Sequence, residues 1–308
     1  MESTKIKPLD VLSESQLSEI RQKNDLWNIF ALLFDWGLMV LGLYVFYYYP
    51  SILTFLASVV VIGSRQFALA VLAHDGAHNL LFSNSKINDF ISQWFCAYPI
   101  FQDNRVYRPY HLKHHRFTET EEDPDLILSA PFPITKKSFF RKVVRDLTGV
   151  TGYKRYSSSL VSIFKTEGNN SSGKISRIWN KIHGFFIVNL VIFVLISLFF
   201  HWSLFFLLWW LPAFTYYSLI IRIRNIAEHC VTPGDSDLDN TRTTKASAIM
   251  RFLLAPHRVN FHLEHHLFMM CPWYNLPKAH SMMIENGYKD KMCIESSYRN
   301  VLLKAVSA

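Results

Sequence analysis

The chain has 308 residues, half of them hydrophobic, with 25 Phe, 14 Tyr and 8 Trp and a formal net charge of +8. Its apolar residues fall in long runs, which argues against a soluble globular chain and for an integral membrane protein. Cys96, Cys230, Cys271 and Cys293 stand singly with no Cys-x-x-Cys, which argues against a disulfide scaffold and against thiolate zinc or iron–sulfur sites.

The first 26 residues mix acidic, basic and polar side chains without a short apolar core and cleavage site, so the N-terminus is expected to be retained. Four later runs are long enough to cross a hydrocarbon core, which takes about 20 helical residues. They cover 27–49, 51–73, 182–201 and 203–222 and form two hairpins turning near Pro50 and Trp202. Counting from the first turn sets Asp35 and Arg65 at similar depth. A buried ion pair is the favoured reading over a functional pair, and exchanging the two residues is expected to rescue either single mutant.

Between the hairpins, Ile87–Phe101 is apolar but too short to span. It reads as an interfacial or half-inserted helix, with a buried helix of a cytoplasmic cap as the alternative. From Phe132 to Lys181 the sequence turns basic, and Glu167–Gly173 has the composition of a mobile loop. Apart from Arg65, the 32 Lys and Arg lie before the first span, between the hairpins, or at and beyond the end of the last. Positive residues in short loops stay on the cytoplasmic side, so both termini and the polar segments are expected there. The net charge fits this bias plus attraction to anionic lipid, or docking of an acidic electron donor.

Three histidine clusters flank the spans: His74-Asp-Gly-Ala-His78, His111-Leu-Lys-His114-His115 and His262-Leu-Glu-His265-His266. Residues i, i+3 and i+4 share a helix face, so each cluster is expected to present two or three imidazoles to a common point. The last span runs into Asn225-Ile-Ala-Glu-His229, which adds His229 as a ninth candidate ligand and Asn225 as a weaker one acting through water. Nine imidazoles exceed one four-coordinate ion, so two metals are expected. Imidazole alone does not select the metal. A site where membrane helices open into the cytoplasm suits oxidation of an apolar substrate, which needs a redox metal; iron is the first choice and zinc the second.

Asp75 and Glu264, inside the clusters, read either as carboxylates that orient ligand rings or as ordinary solvated residues. Glu119, Glu121, Glu122, Asp123 and Asp125 read as a solvated charge run. His183, His201, His257 and His280 lack paired spacing and read as interfacial or structural.

The order His-x3-His, His-x2-His-His, His-x2-His-His around two hairpins resembles the membrane fatty acid desaturase and hydroxylase superfamily. His115-Arg-Phe-Thr-Glu-Thr-Glu-Glu-Asp-Pro-Asp125, Asn260–Phe268 and Asn275–His280 are similar to segments of its acyl-lipid desaturases. The resemblance covers roughly 27–285. It implies an all-α integral membrane fold, four transmembrane helices in two hairpins under a cytoplasmic helical cap from 74–181 and 223–308, in one domain over 1–308. It also implies a non-haem di-iron centre on His74, His78, His111, His114, His115, His229, His262, His265 and His266, with Asn225 acting through water.

The implied activity is dioxygen-dependent desaturation of a membrane lipid's acyl chain, histidines serving as ligands only. Electrons are expected from an external ferredoxin or cytochrome b5, because no His-Pro-Gly-Gly segment is present. Carotenoid hydroxylases and ketolases share similar boxes, so oxygenation of a carotenoid or other apolar lipid is the alternative. A metal transporter or sensor would need polar groups distributed across the spans, and a zinc hydrolase would carry His-Glu-x-x-His; neither pattern is found. No nucleic-acid partner is expected.

Overall fold

A computed structural model describes residues 4–165, 174–234 and 236–306. Glu167–Gly173 lies outside the described residues. Eleven helices carry the argument: α1 Glu14–Ile20, α2 Asp25–Tyr48, α3 Ile52–Ala77, α4 Ser85–Ile91, α5 Asn104–Phe117, α6 Lys136–Leu147, α7 Val150–Lys165, α8 Lys174–Phe199, α9 Tyr216–His229, α10 His262–Leu267 and α11 Leu276–Glu285.

Among the described residues four helical stretches are long and apolar enough to cross a membrane, including Ile52–Ala77, Ile178–Phe199 and Phe205–His229. The other ends at Tyr48 and contains α2. The chain is thus an all-α membrane protein, and the helices extend several residues beyond the apolar runs. α2 starts where the Asn24 side chain accepts from the Leu26 amide, and α3 where Ser51 and Thr54 form a reciprocal cap. Three residues, Tyr49, Pro50 and Ser51, separate α2 from α3. Ser58 Oγ donates to the Gly42 carbonyl at 2.8 Å, and Arg65 Nη1 lies 3.0 Å from Asp35 Oδ1, both buried. The expected ion pair forms, and it has a third member. His257 Nε2 lies 2.7 Å from the other Asp35 oxygen.

The fourth stretch is less regular. Phe205–Trp210 takes a π-helical turn, and at Thr215 the backbone leaves helical geometry (φ −106°, ψ −88°) before α9 begins. Gln66 reaches across from α3 to donate to the Trp209 carbonyl at 2.8 Å within this turn. The core around it holds Ile62, Leu69, Leu72, Leu208 and Tyr217. A second core joins α1 to the C-terminal part through Ile20, Leu263, Phe268 and Met283.

The short segment after α3 is amphipathic: Ile87, Phe90 and Phe95 are exposed, whereas Cys96, Ala97, Tyr98 and Ile100 are buried. α6 and α7 occupy much of the basic stretch. A two-residue parallel pair, Thr243–Thr244 (β1) with Ile294–Glu295 (β2), was not expected. It sits beside the third histidine cluster, with the Thr244 amide donating to the Asn260 carbonyl.

Candidate metal centre

Each histidine stands on a helix or at its cap. α3 continues past the end of its apolar run, so it carries His74 in its last turn and has His78 as its C-cap. α5 is capped by Asp103, whose side chain accepts from the Arg105 amide. α9 ends at His229, and the buried Arg242 satisfies its free carbonyls, donating to Ala227 (3.2 Å), Cys230 (2.9 Å) and Val231 (2.8 Å). A cation on the terminal carbonyls of a helix is favourable on both hydrogen-bonding and dipole grounds.

Nine imidazoles converge in two groups. Ring nitrogens of His74, His78, His111, His115 and His265 lie within 4.8 Å of one another, and those of His114, His229, His262 and His266 do likewise. Each cluster presents two imidazoles to a common point, as expected, and the third imidazole of the second and third clusters goes to the other group. Helical geometry explains the division: successive residues turn by about 100°, so His111 and His115 project together while His114 projects to the other side. In α10 the assignment is mirrored, with His262 and His266 in one group and His265 in the other.

The nitrogens fit a cation. His111 and His115 approach to 2.9 Å between Nε2 atoms, His115 and His265 to 3.0 Å, and His229 and His262 to 2.9 Å. Two nitrogens bound at about 2.1 Å to one ion would sit about 3 Å apart or slightly more. The buried Nε2 atoms of His74, His78 and His266 have no hydrogen-bond partner among the described residues, which ordinarily costs about 1–3 kcal/mol each. Burial, and then the neighbouring imidazoles, hold His111, His262, His265 and His266 well below the usual histidine range. For His78, burial followed by Arg108 lowers the value to about 4. These rings are therefore neutral at pH 7, the form in which imidazole ligates a metal.

Carboxylates surround the rings. Asp123 is buried, and its Oδ1 lies 2.8 Å from His114 Nδ1 while both oxygens accept backbone amides, from Glu119 and Asp125. Burial pushes the Asp123 carboxyl up, but these donors bring it below its ordinary value. The acidic run after the second cluster is thus not simply a solvated loop. Glu119 Oε1 lies 3.6 Å from His229 Nδ1, and Asp125 accepts from the Tyr110 hydroxyl. Asp75 approaches His74 Nδ1 at 3.5 Å while accepting the Trp273 amide. Glu264, by contrast, turns away from the ligand rings to Thr243 and His280.

Glu228 was missed by sequence reasoning. It is buried with Oε1 on Arg224 Nε (2.7 Å) and Oε2 3.5 Å from His262 Nε2. The i, i+4 spacing from Arg224 to Glu228 was its visible signal. Asn225 lines a cavity of about 330 Å³ shared by His74, His111, His114, His229 and His262. His183 and His201 stand apart, on the Trp179 carbonyl and on Ser203 respectively.

Dihydrorhizobitoxine desaturase of Bradyrhizobium elkanii is 27% identical over 244 residues, covering 75% of this chain and 68% of that protein. The model of the family described as fatty acid desaturase matches residues 50–295. That match runs from the turn before α3 to β2, so it takes in every imidazole of both groups. The chain is therefore a membrane oxidoreductase and belongs to the fatty acid desaturase family.

Proposed function

We propose that the protein carries out dioxygen-dependent desaturation of a lipid acyl chain at a non-haem di-iron centre. His74, His78, His111, His115 and His265 would hold one iron, and His114, His229, His262 and His266 the other, with Asn225 acting through water. The observation that carries this reading is the division of nine imidazoles into two groups beside one cavity. Iron bound there supplies the one-electron and oxygen chemistry that side chains lack.

The chain's own contribution is to orient the rings. Asp123 on His114 selects the tautomer that leaves the other nitrogen for the metal, and Asp75 lies 3.5 Å from His74 Nδ1. Phe67, Val71 and Tyr217 give the cavity apolar surface that keeps bulk water from the site. The similarity to a protein named as a desaturase favours desaturation over hydroxylation or ketolation. We read the whole chain as one domain, with both termini and the histidines on the cytoplasmic side and an external ferredoxin or cytochrome b5 as donor.

Metal analysis of the purified protein, together with mass spectrometry of host lipids, tests the reading. Two irons per chain and one new double bond, absent in His114→Ala and His265→Ala although both still insert in the membrane, are the expected results. One zinc per chain, or full activity in either variant, overturns it. An oxygenated lipid product would identify a hydroxylase or ketolase instead.

A further inference from the structure

The cavity beside the histidines holds a charge that the metal centre does not use. Four charged side chains other than histidine line it: Arg155, Arg224, Asp125 and Glu228. Arg224 is paired with Glu228, and Asp125 accepts from Tyr110. Arg155 differs. Among the described residues no carboxylate oxygen lies within ion-pair distance of its guanidinium, and the Asp146 carboxylate is taken by Arg222, whose Nη2 lies 2.8 Å from it.

Arg155 is nevertheless held firmly. Gly152, one turn earlier on α7, lets that helix approach so closely that a Cβ there would meet the Phe214 carbonyl oxygen at 2.5 Å. The approach brings the Arg155 side chain to the Ala213 carbonyl, where Nη2 donates at 3.3 Å. Its guanidinium lies over the rings of Tyr156 and Tyr217, at 4.7 and 4.8 Å from their centroids. Gln102 donates to the Tyr217 hydroxyl, which adds a polar corner to the same cavity. Aromatic faces partly offset the cost of removing a guanidinium from water, but a carboxylate would satisfy its planar fork with two charge-assisted hydrogen bonds.

We propose that the substrate enters this cavity as a free carboxylic acid, its carboxylate held by Arg155 and its hydrocarbon portion beside the histidines. An acyl chain esterified in a lipid has no such carboxylate. A cavity of about 330 Å³ is at the small end of ligand sites, which span roughly 300–1,000 Å³, and it favours a compact acid. This proposal rests on the oxidation reading for its chemistry and narrows the substrate from a lipid acyl chain in general to an unesterified acid. A lipid phosphate would offer Arg155 similar oxyanion geometry, so the test separates the two sources.

Equilibrium dialysis of the purified full-length protein in neutral detergent measures binding of octanoate, octanamide and phosphatidic acid. Octanoate is expected to bind at least about tenfold more tightly than octanamide, in line with a charge-assisted hydrogen bond. Arg155→Gln should remove that preference, Arg155→Lys should retain part of it, and Arg251→Gln should leave it unchanged. Ala70→Leu fills the cavity while leaving Arg155 in place and should abolish octanoate binding, which decides the matter even if Arg155→Gln does not fold. Equal binding of octanoate and octanamide, or an undiminished preference in Arg155→Gln, overturns the proposal. Binding of phosphatidic acid without octanoate does so too, and makes the site a headgroup site. Dialysis requires no turnover, so its failure leaves the oxidation reading standing, and a failed metal or product analysis leaves the carboxylate site standing.

Discussion

His114 shows how much a single ring depends on a residue nine positions away. Its Nδ1 is fixed by Asp123, which is itself held by two backbone amides. Asp123→Asn keeps the shape but removes the charge, and the amide can present its NH2 group to the ring. We expect metal affinity to fall about 10–100-fold, read as iron retained per chain against a competing chelator. The neutral rings also set a pH response. His78 titrates near 4 when folded and near 6.5 when unfolded, so the unfolded chain binds the extra proton between those values. Stability of the metal-free protein should therefore be full above about pH 6.5 and decline as pH falls toward 4. Thermal unfolding at pH 7 and pH 5 checks the sign; a higher unfolding temperature at pH 5 would refute it. The histidines themselves were legible in the sequence because i, i+3 and i+4 spacing is a local property. Asp123 was not, because an acidic run in a loop has no period that distinguishes a buried carboxylate from a solvated one.

Helices were legible where apolar length defines them, and less so where their ends or packing do. The four spans follow from hydrocarbon thickness, yet α3 and α9 continue past the apolar runs. The π-helical turn at Phe205–Trp210 and the break at Thr215 reflect packing between helices, which no single segment encodes. Nor does one cluster reveal that its rings will serve two groups, since this requires the relative rotation of α3, α5, α9 and α10. Close packing gives its own test at Gly184 on α8. A Cβ there would lie 2.1 Å from the Tyr98 ring, which is buried and whose hydroxyl accepts from Arg105 at 2.8 Å. Gly184→Ala should destabilise by about 1–3 kcal/mol through overpacking, seen as a lower unfolding temperature. Equal stability would mean that α8 is free to shift away from Tyr98.

Across the whole molecule, the third histidine cluster depends on the first membrane helix. His257, five residues before His262, has positive φ (49°) and places Nε2 on Asp35, while Arg65 takes the other carboxylate oxygen and also donates to the Phe252 carbonyl. The His257 ring packs edge-on against Trp273, whose indole N–H donates to Asn28 on the same membrane helix. One buried carboxylate thus joins α2, α3 and the segment that leads into α10. Removing one partner of a buried ion pair costs about 3–5 kcal/mol, because the other charge is left uncompensated. Asp35→Ala or Arg65→Ala should therefore lower the yield of inserted protein.

The exchange Asp35→Arg with Arg65→Asp restores opposite charges but replaces the acceptor facing His257 Nε2 by a guanidinium donor, so His257 must change tautomer to accept from it. Rescue should be partial in this double variant. It should improve when His257→Gln is added, since the carboxamide oxygen can accept from the new guanidinium. Iron content should follow the same order, because the loop positioning His262, His265 and His266 regains its anchor only in the triple variant. Full recovery of both insertion and iron in the double variant would show that His257 is not a working member of the triad.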